Sequence, residues 1–253
     1  MDKSSEQINS LKRKDIEDIK VIIFDVDGVT VPRGTKISYK NDELNLHIKR
    51  CPKQIAKSLK GLARFFHINI SSGRSLLYLL EMYRDCLDIA NLSFTVENGH
   101  YTYFNNSGMI VQHRLVKIYE RTELMKIRNR IEKKGEIEPK EMQLTLHVPN
   151  RIMFVSNIRF KYNGEAYDIG NGEKGDAVKY FQKNYGKVLA IGDNVNDQSM
   201  LEAADISVTA DRTKVSGHYY IDFKEGLPAE ILINQLLKLK RQKYDVELST
   251  VQC

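Results

Sequence analysis

Two aspartates spaced i, i+2 stand at the end of an apolar run in VIIFDVDGVT, Val21 to Thr30, with a glycine directly behind them. Four apolar residues, three β-branched and one aromatic, predict a buried strand that delivers Asp25 and Asp27 to its C-terminal end. Open α/β sheets keep their chemistry at that edge. Two close carboxylates repel unless positive charge sits between or beside them, which points to a divalent cation and an anionic substrate. Gly28 lets the chain leave the strand with no side chain in the way. An ordinary strand running into an Asp-rich turn is the competing reading, so further motifs must decide.

A second acid cluster stands much later in the chain. KVLAIGDNVNDQSML reads as a strand, then Gly192, then Asp193 and Asp197 with Asn194 and Asn196 between them, before a helix that begins near Gln198. Lone acidic turns are common; two at strand ends in one chain are natural partners. Earlier, HINI at 67–70 predicts a short strand ending in Ser71-Ser72-Gly73-Arg74-Ser75 ahead of a helix over 76–87. Hydroxyls and free N–H groups there suit a phosphate oxygen, although a plain serine N-cap has the same pattern. Lys174, between Gly172 and Gly175 at a helix start, can reach a phosphate or separate neighbouring carboxylates; the alternative is a solvated lysine.

Positioning these residues takes alternating strands and helices. Pro52 starts a helical pattern with Ile55, Leu59, Leu62, Ala63 and Phe66 on one face. Before it, TKISYK and ELNLHIKR about Asn41-Asp42 predict a hairpin beside the first aspartates, either a flap over a site or a simple edge hairpin. After LSFTVENG the texture changes. YTYFN and MIVQHRL about Asn106-Ser107-Gly108 predict a hairpin, a charged helix follows over 117–134, and EMQLTLHV and RIMFVSNIRFKY supply strands around Pro149-Asn150. Strands, helix and strands without β-α alternation predict a small α+β unit inserted over 100–167. The expected order is a polar segment over 1–18, core over 19–99, the insert, core again over 168–241 and a tail over 242–253, with a last amphipathic helix over 228–239.

Composition narrows the class. At 253 residues, 42% hydrophobic and 28% charged, the chain reads as an ordinary globular protein of one large or two unequal domains. No stretch is apolar enough for a membrane span or a signal segment, so a cytoplasmic location is expected. Three scattered cysteines, Cys51, Cys86 and Cys253, form neither a disulfide framework nor a zinc spacing. The net charge of +6 is spread along the chain with no nucleic-acid motif, which favours small anions over a nucleic-acid partner. Nothing in the sequence sets an oligomeric state.

Taken as a set, DVDGV at 25–29, Ser72-Gly73-Arg74, Lys174-Gly175 and GDNVND at 192–197 resemble, in order and spacing, the motifs of the haloacid dehalogenase superfamily of phosphohydrolases. The segment between the second and third motifs resembles the type C2 cap. ENG followed by a strand, with KGDAV later, looks like the Cof-type branch, which includes trehalose-, sucrose- and mannosylglycerate-type phosphatases and phosphomannomutases. The resemblance implies a Rossmann-like parallel sheet with the motifs at its C-terminal edge and a small α+β cap.

It also implies roles: Asp25 as nucleophile, Asp27 as general acid/base, Ser72, Gly73 and Lys174 as phosphate holders, and Mg²⁺ held by Asp25, the backbone carbonyl of Asp27, Asp193 and Asp197. Arg74, Glu97, Asn98, His100 and Asn196 are candidate specificity residues near the core–cap junction. The sequence departs from the usual pattern at Val29 and Ser72, where threonine is commoner, and Ser71 competes with Ser72 for its role. The expectation is a Mg²⁺-dependent phosphomonoesterase acting on a small phosphorylated metabolite, a sugar phosphate first. A phosphomutase, or a binding protein that kept the fold without catalysis, are the alternatives.

Overall fold

The computed structural model describes residues 5–40, 43–131, 136–138, 140–147, 158–162, 166–223 and 225–250. In chain order the strands and helices begin with β1 (Glu6–Gln7), β2 (Ile19–Asp25), β3 (Lys36–Lys40), β4 (Glu43–His47), α1 (Lys53–Leu62), β5 (His67–Ser71), α2 (Leu76–Met82) and β6 (Leu92–Val96). Next come β7 (Tyr101–Phe104), β8 (Ile110–Gln112), α3 (Ile118–Ile131), β9 (Glu136–Glu138), β10 (Leu144–His147), β11 (Phe160–Tyr162) and β12 (Ala166–Ile169). The chain closes with α4 (Lys174–Asn184), β13 (Lys187–Gly192), α5 (Gln198–Ala203), β14 (Ile206–Thr209), β15 (Tyr219–Tyr220) and α6 (Pro228–Thr250).

Nine strands form the core sheet in the order β1-β15-β14-β13-β2-β5-β6-β7-β8. All neighbours from β1 to β6 pair in parallel; β7 and β8 are antiparallel. Strand β2 is the hinge of this topology, because the chain continues to β5 and β6 on one side and returns to β13 on the other. The reversal opens a crevice at the C-terminal end of β2, where Asp25 sits. Alternation along β2 feeds both faces of the sheet: Ile22 and Phe24 join the cluster with Leu59 of α1 and Leu236 of α6, while Val21 and Ile23 join Phe181 of α4 and Met200 of α5.

A second, six-stranded antiparallel sheet has the order β11-β12-β10-β9-β3-β4. Helix α3 covers it with Leu124, Ile127 and Ile131 packed on Ile137, Leu146 and Ile169. This is the α+β cap, and it is assembled from two separate stretches of chain. The hairpin β3–β4 pairs with β9 through Tyr39 opposite Ile137, so it is the edge of the cap sheet and contributes wall to the space beneath it.

Several element placements differ from the sequence expectation. The hairpin of β7 and β8 lies in the core sheet, not in the insert that 100–167 would make, because β6 needs a partner on its outer edge. Tyr101 and Phe104 are buried in core clusters, and the hydroxyls of Thr95 and Thr102 bond at 2.7 Å. At the other end, β12 belongs to the cap, since Ile169 pairs with Leu144 and is buried under α3. The polar segment over 1–18 is partly core: β1 extends the sheet, and Ile8, Leu11 and Ile16 are buried. The last helix continues to Thr250, through most of the expected tail. The helix after Ser75 stops at Met82 and gives way to a 3₁₀ turn. The turns at Asn41-Asp42 and Pro149-Asn150, and Cys253, lie outside the described residues.

Candidate active site

The first aspartate motif turns sharply after β2. Gly28 has φ +91°, and a Cβ there would stand 2.6 Å from Asp193 Oδ2 and 2.8 Å from Arg33 Nε, so only glycine fits both the turn and the approach. Thr30 locks the turn, its hydroxyl donating to the Asp25 carbonyl at 2.8 Å. Asp25 is left at the floor of a cavity of about 350 Å³ between core and cap.

Asp25, Asp193 and Asp197 converge there: each offers an oxygen within 4.8 Å of the others, and all three are buried. Lys174, wholly buried at the start of α4, donates at 2.5 Å to Asp25 Oδ1 and at 2.5 Å to Asp197 Oδ1. The other Asp197 oxygen accepts from the N–H groups of Asp193 and Asn194 at 3.0 and 3.1 Å, which fixes the loop after β13. Burial and then the Asp197 charge push the Asp25 carboxyl well above the usual carboxylate range, and Lys174 offsets only part of that. Burial and Asp197 likewise push Asp193 up to about 6 against the pull of Arg33. The cluster is short of positive charge.

A divalent cation fits the donor set. Among the described residues, Asp193 Oδ1 is buried without a hydrogen-bond partner and Asp193 Oδ2 is held only by the half-exposed Arg33 guanidinium at 2.5 Å; hard carboxylate oxygens suit Mg²⁺. Asp25 and Asp193 would hold it. Asp197 stands in the same oxygen cluster within reach of such an ion, and its bonds to Lys174 and two backbone N–H groups orient it there. The Asp27 carboxylate lies apart from the three and is gripped by Arg74, which leaves its backbone carbonyl as its means of contact with a cation.

Ser72, Gly73, Arg74, Asn194 and Asn196 line the cavity beside Asp25 and Asp27. The Ser72 hydroxyl accepts from the Arg74 N–H at 3.2 Å, which sets the turn after β5. Ser71, which competes for the same role, is buried with its hydroxyl unpartnered and does not line the cavity.

Three candidate specificity residues do not face the cavity. Glu97 and Asn98 have φ of +49° and +55°, and with Gly99 at +87° they make a tight reversal after β6. That reversal turns the Glu97 carboxylate toward the cap, where it accepts from the N–H groups of Glu141, Met142 and Gln143 at 2.8, 2.6 and 3.1 Å. Asn98 reaches Gln143, and His100 bonds the Glu97 carbonyl at 2.6 Å. Glu97 holds the core–cap joint through cap backbone N–H groups, Asn98 through the Gln143 side chain, and His100 braces the reversal itself.

The cap supplies residues that the motifs did not indicate. Arg33 comes from the segment entering β3 and Lys36 from the start of β3; Glu138, Lys140, Thr145, His147 and Asp168 come from β9, β10, β12 and the loop between the first two. Thr145 donates to Asp168 at 2.6 Å, and Lys140 bonds Thr145 and lies 3.6 Å from Asp168 and 3.8 Å from Glu138. Burial raises Glu138, but Lys140, His147 and Arg74 more than reverse this and hold it at about 2. The one available signal was the alternation in EIEPKE, which puts Glu136 and Glu138 on one face of a strand.

The family model for haloacid dehalogenase-like hydrolases matches residues 116–214, the stretch that carries Lys174 and the acids Asp193 and Asp197; Asp25 and Asp27 lie outside it. The C-terminal domain of trehalose-6-phosphate phosphatase from C. albicans superposes with TM-score 0.67 at 12% identity, over 93% of this chain and 97% of that one. The chain carries the haloacid dehalogenase-like hydrolase fold. A haloacid dehalogenase-like hydrolase from B. subtilis superposes with TM-score 0.62 at 14% identity, over 87% and 99% of the two chains. The IMP-bound, N-terminally truncated IMP-nucleotidase of Plasmodium falciparum does so with TM-score 0.55 at 14% identity, over 88% and 69%. No curated protein matches the chain by sequence. Among the described residues, no helix is long and apolar enough to cross a membrane.

Proposed function

We propose that the protein is a Mg²⁺-dependent phosphomonoesterase acting on a small phosphorylated metabolite, a sugar phosphate first among them. The observation that carries this is Asp25, buried at a sheet edge between Lys174 and an acid cluster, with a second acid, Asp27, two residues on and a polar cavity above both. Asp25 attacks phosphorus; the Asp25 O–P bond forms as the P–O bond to the leaving group breaks, and Asp27 gives its proton to the departing oxygen. Asp27 then takes a proton from water as water's oxygen bonds phosphorus and the Asp25 O–P bond breaks. Lys174 and the Ser72–Gly73 turn hold the phosphoryl oxygens. When bound, Mg²⁺ offsets the repulsion among the buried carboxylates and takes up negative charge from the phosphoryl group.

The cap wall favours a hydroxylated leaving group. Lys140, Thr145, His147 and Asp168 offer donors and acceptors on a polar roof, whereas a nucleobase would call for an aromatic or apolar slot. The experiment is phosphate release from hexose phosphates, disaccharide phosphates, phosphoglycolate and nucleotides, with Mg²⁺ and with chelator. Release from a sugar phosphate that stops with chelator is expected. Release untouched by chelator removes the metal; preference for nucleotides removes the sugar reading. Transfer between positions of one sugar, without free phosphate, establishes a mutase instead.

A further inference from the structure

Arg74 stands at the centre of the core–cap contact. Its side chain is 12% exposed, and it makes four hydrogen bonds to three different parts of the chain. Nε donates to Asp27 Oδ2 at 2.8 Å and Nη2 to Asp27 Oδ1 at 3.1 Å, a two-pronged grip on the carboxylate. Nη1 donates to Glu138 Oε2 at 3.1 Å, and Nη2 also reaches the Thr35 carbonyl at 3.3 Å. Asp27 belongs to the core, Glu138 to β9 in the middle of the cap sheet, and Thr35 to the segment entering the β3–β4 hairpin.

A planar guanidinium held at three corners transmits the position of one partner to another, because its fork fixes direction as well as distance. Glu138 is only 3% exposed at its side chain, its backbone is paired in the cap sheet through β9, and Lys140 and His147 flank it at 3.8 and 3.7 Å, so the cap end of the link is stiff. Asp27 is 28% exposed and has Arg74 as its cationic partner. We propose that Arg74 is a positioning residue that ties the general acid/base Asp27 to the docked cap, so that Asp27 is aimed at the leaving oxygen when the cap carboxylate Glu138 holds the other end of the guanidinium. The inference rests on the phosphatase reading and adds to it the coupling of cap position to proton transfer. It assigns Glu138 a share in that step from the far side of Arg74, without contact to the reacting atoms.

The test uses the leaving group. Phenyl phosphate and p-nitrophenyl phosphate are similar in shape, but the nitrophenolate departs without needing a proton, whereas the phenolate is helped by one. Since kcat/KM reports only steps through cleavage of the ester, it isolates the proton delivered by Asp27. Arg74→Gln is expected to lower kcat/KM for phenyl phosphate about 30-fold and for p-nitrophenyl phosphate by less than about threefold. Glu138→Gln should shift the ratio the same way by about fivefold, and Arg74→Lys, which keeps charge but not the fork, should fall between Arg74→Gln and wild type. Inhibition by inorganic phosphate should be unchanged in all three.

Equal slowing of both esters by Arg74→Gln, or weakened phosphate inhibition, overturns the inference and makes Arg74 a structural or phosphate-holding residue. An unchanged ratio in Glu138→Gln, which leaves the grip on Asp27 in place, overturns the link to the cap. Should Arg74→Gln not fold, Arg74→Lys and Glu138→Gln decide. Wild-type protein that cleaves neither ester with Mg²⁺ present removes the phosphatase reading itself, a result distinct from either of these.

Discussion

At the scale of single residues, the site is a problem of like charges that one buried lysine answers only in part. Lys174 is the only cation among the described residues that bonds both Asp25 and Asp197, and it has no exposed surface from which to recruit a counter-ion. Lys174→Met therefore leaves two adjacent buried carboxylates unpaired and should destabilise the fold by about 3–5 kcal/mol, read from urea unfolding, with turnover lost. Adding Asp25→Asn should recover part of that stability but no activity. If Lys174→Met is as stable as wild type, the lysine is not what holds the cluster together. These residues were legible in the sequence because each stands where a strand ends or a helix begins, a position that periodicity and glycine mark. Arg33, Lys140 and Asp168 carried no such mark. They are ordinary polar residues in short strands or loops, and only strand pairing across the cap brings them over Asp25.

At the scale of elements, the end of the core sheet opposite Asp25 is sealed by aromatic packing around a histidine. His67 lies 5.7, 5.5 and 5.1 Å, centre to centre, from the rings of Phe104, Phe181 and Tyr185, and Nε2 bonds the Ser93 hydroxyl at 2.7 Å. Burial lowers its pKa from 6.5 to about 4. The unfolded chain then takes up the proton first as pH falls, so the stability from neutral His67 is complete above pH 6.5 and drains away toward pH 4. Over that window wild type should lose up to about 3 kcal/mol more than His67→Phe, measured by urea unfolding at a series of pH values. Parallel pH profiles for the two proteins would show that the imidazole is not buried neutral. The β7–β8 hairpin that completes this packing was legible as a hairpin but not as a core element. Its alternation states which residues pair across the turn and says nothing about which neighbouring strand accepts the outer edge.

At the scale of the whole molecule, the cap is not a simple insertion. Its sheet takes β3 and β4 from the segment directly after the first aspartate motif and β9 to β12 from the later one, so the loop that carries Arg33 into β3 is joined at one end to Asp27 and at the other to the roof of the cavity. The single insert expected from sequence missed this because antiparallel pairing between strands a hundred residues apart leaves no local pattern. Movement of such a cap shifts both walls of the cavity together, and Arg74 and Glu97 mark two of the places at which core and cap are hydrogen-bonded.

In the proposed reaction Asp25 is the group that receives the phosphoryl. The direct measurement is mass spectrometry of acid-quenched protein, mixed for a short time with Mg²⁺ and the most readily hydrolysed ester, and digested to map the modified peptide. The account predicts one phosphoryl group on the peptide containing Asp25 in wild type and none in Asp25→Asn, with the folded state of the variant retained. Phosphate release at full rate from Asp25→Asn, or a phosphoryl group found on another residue, would contradict it.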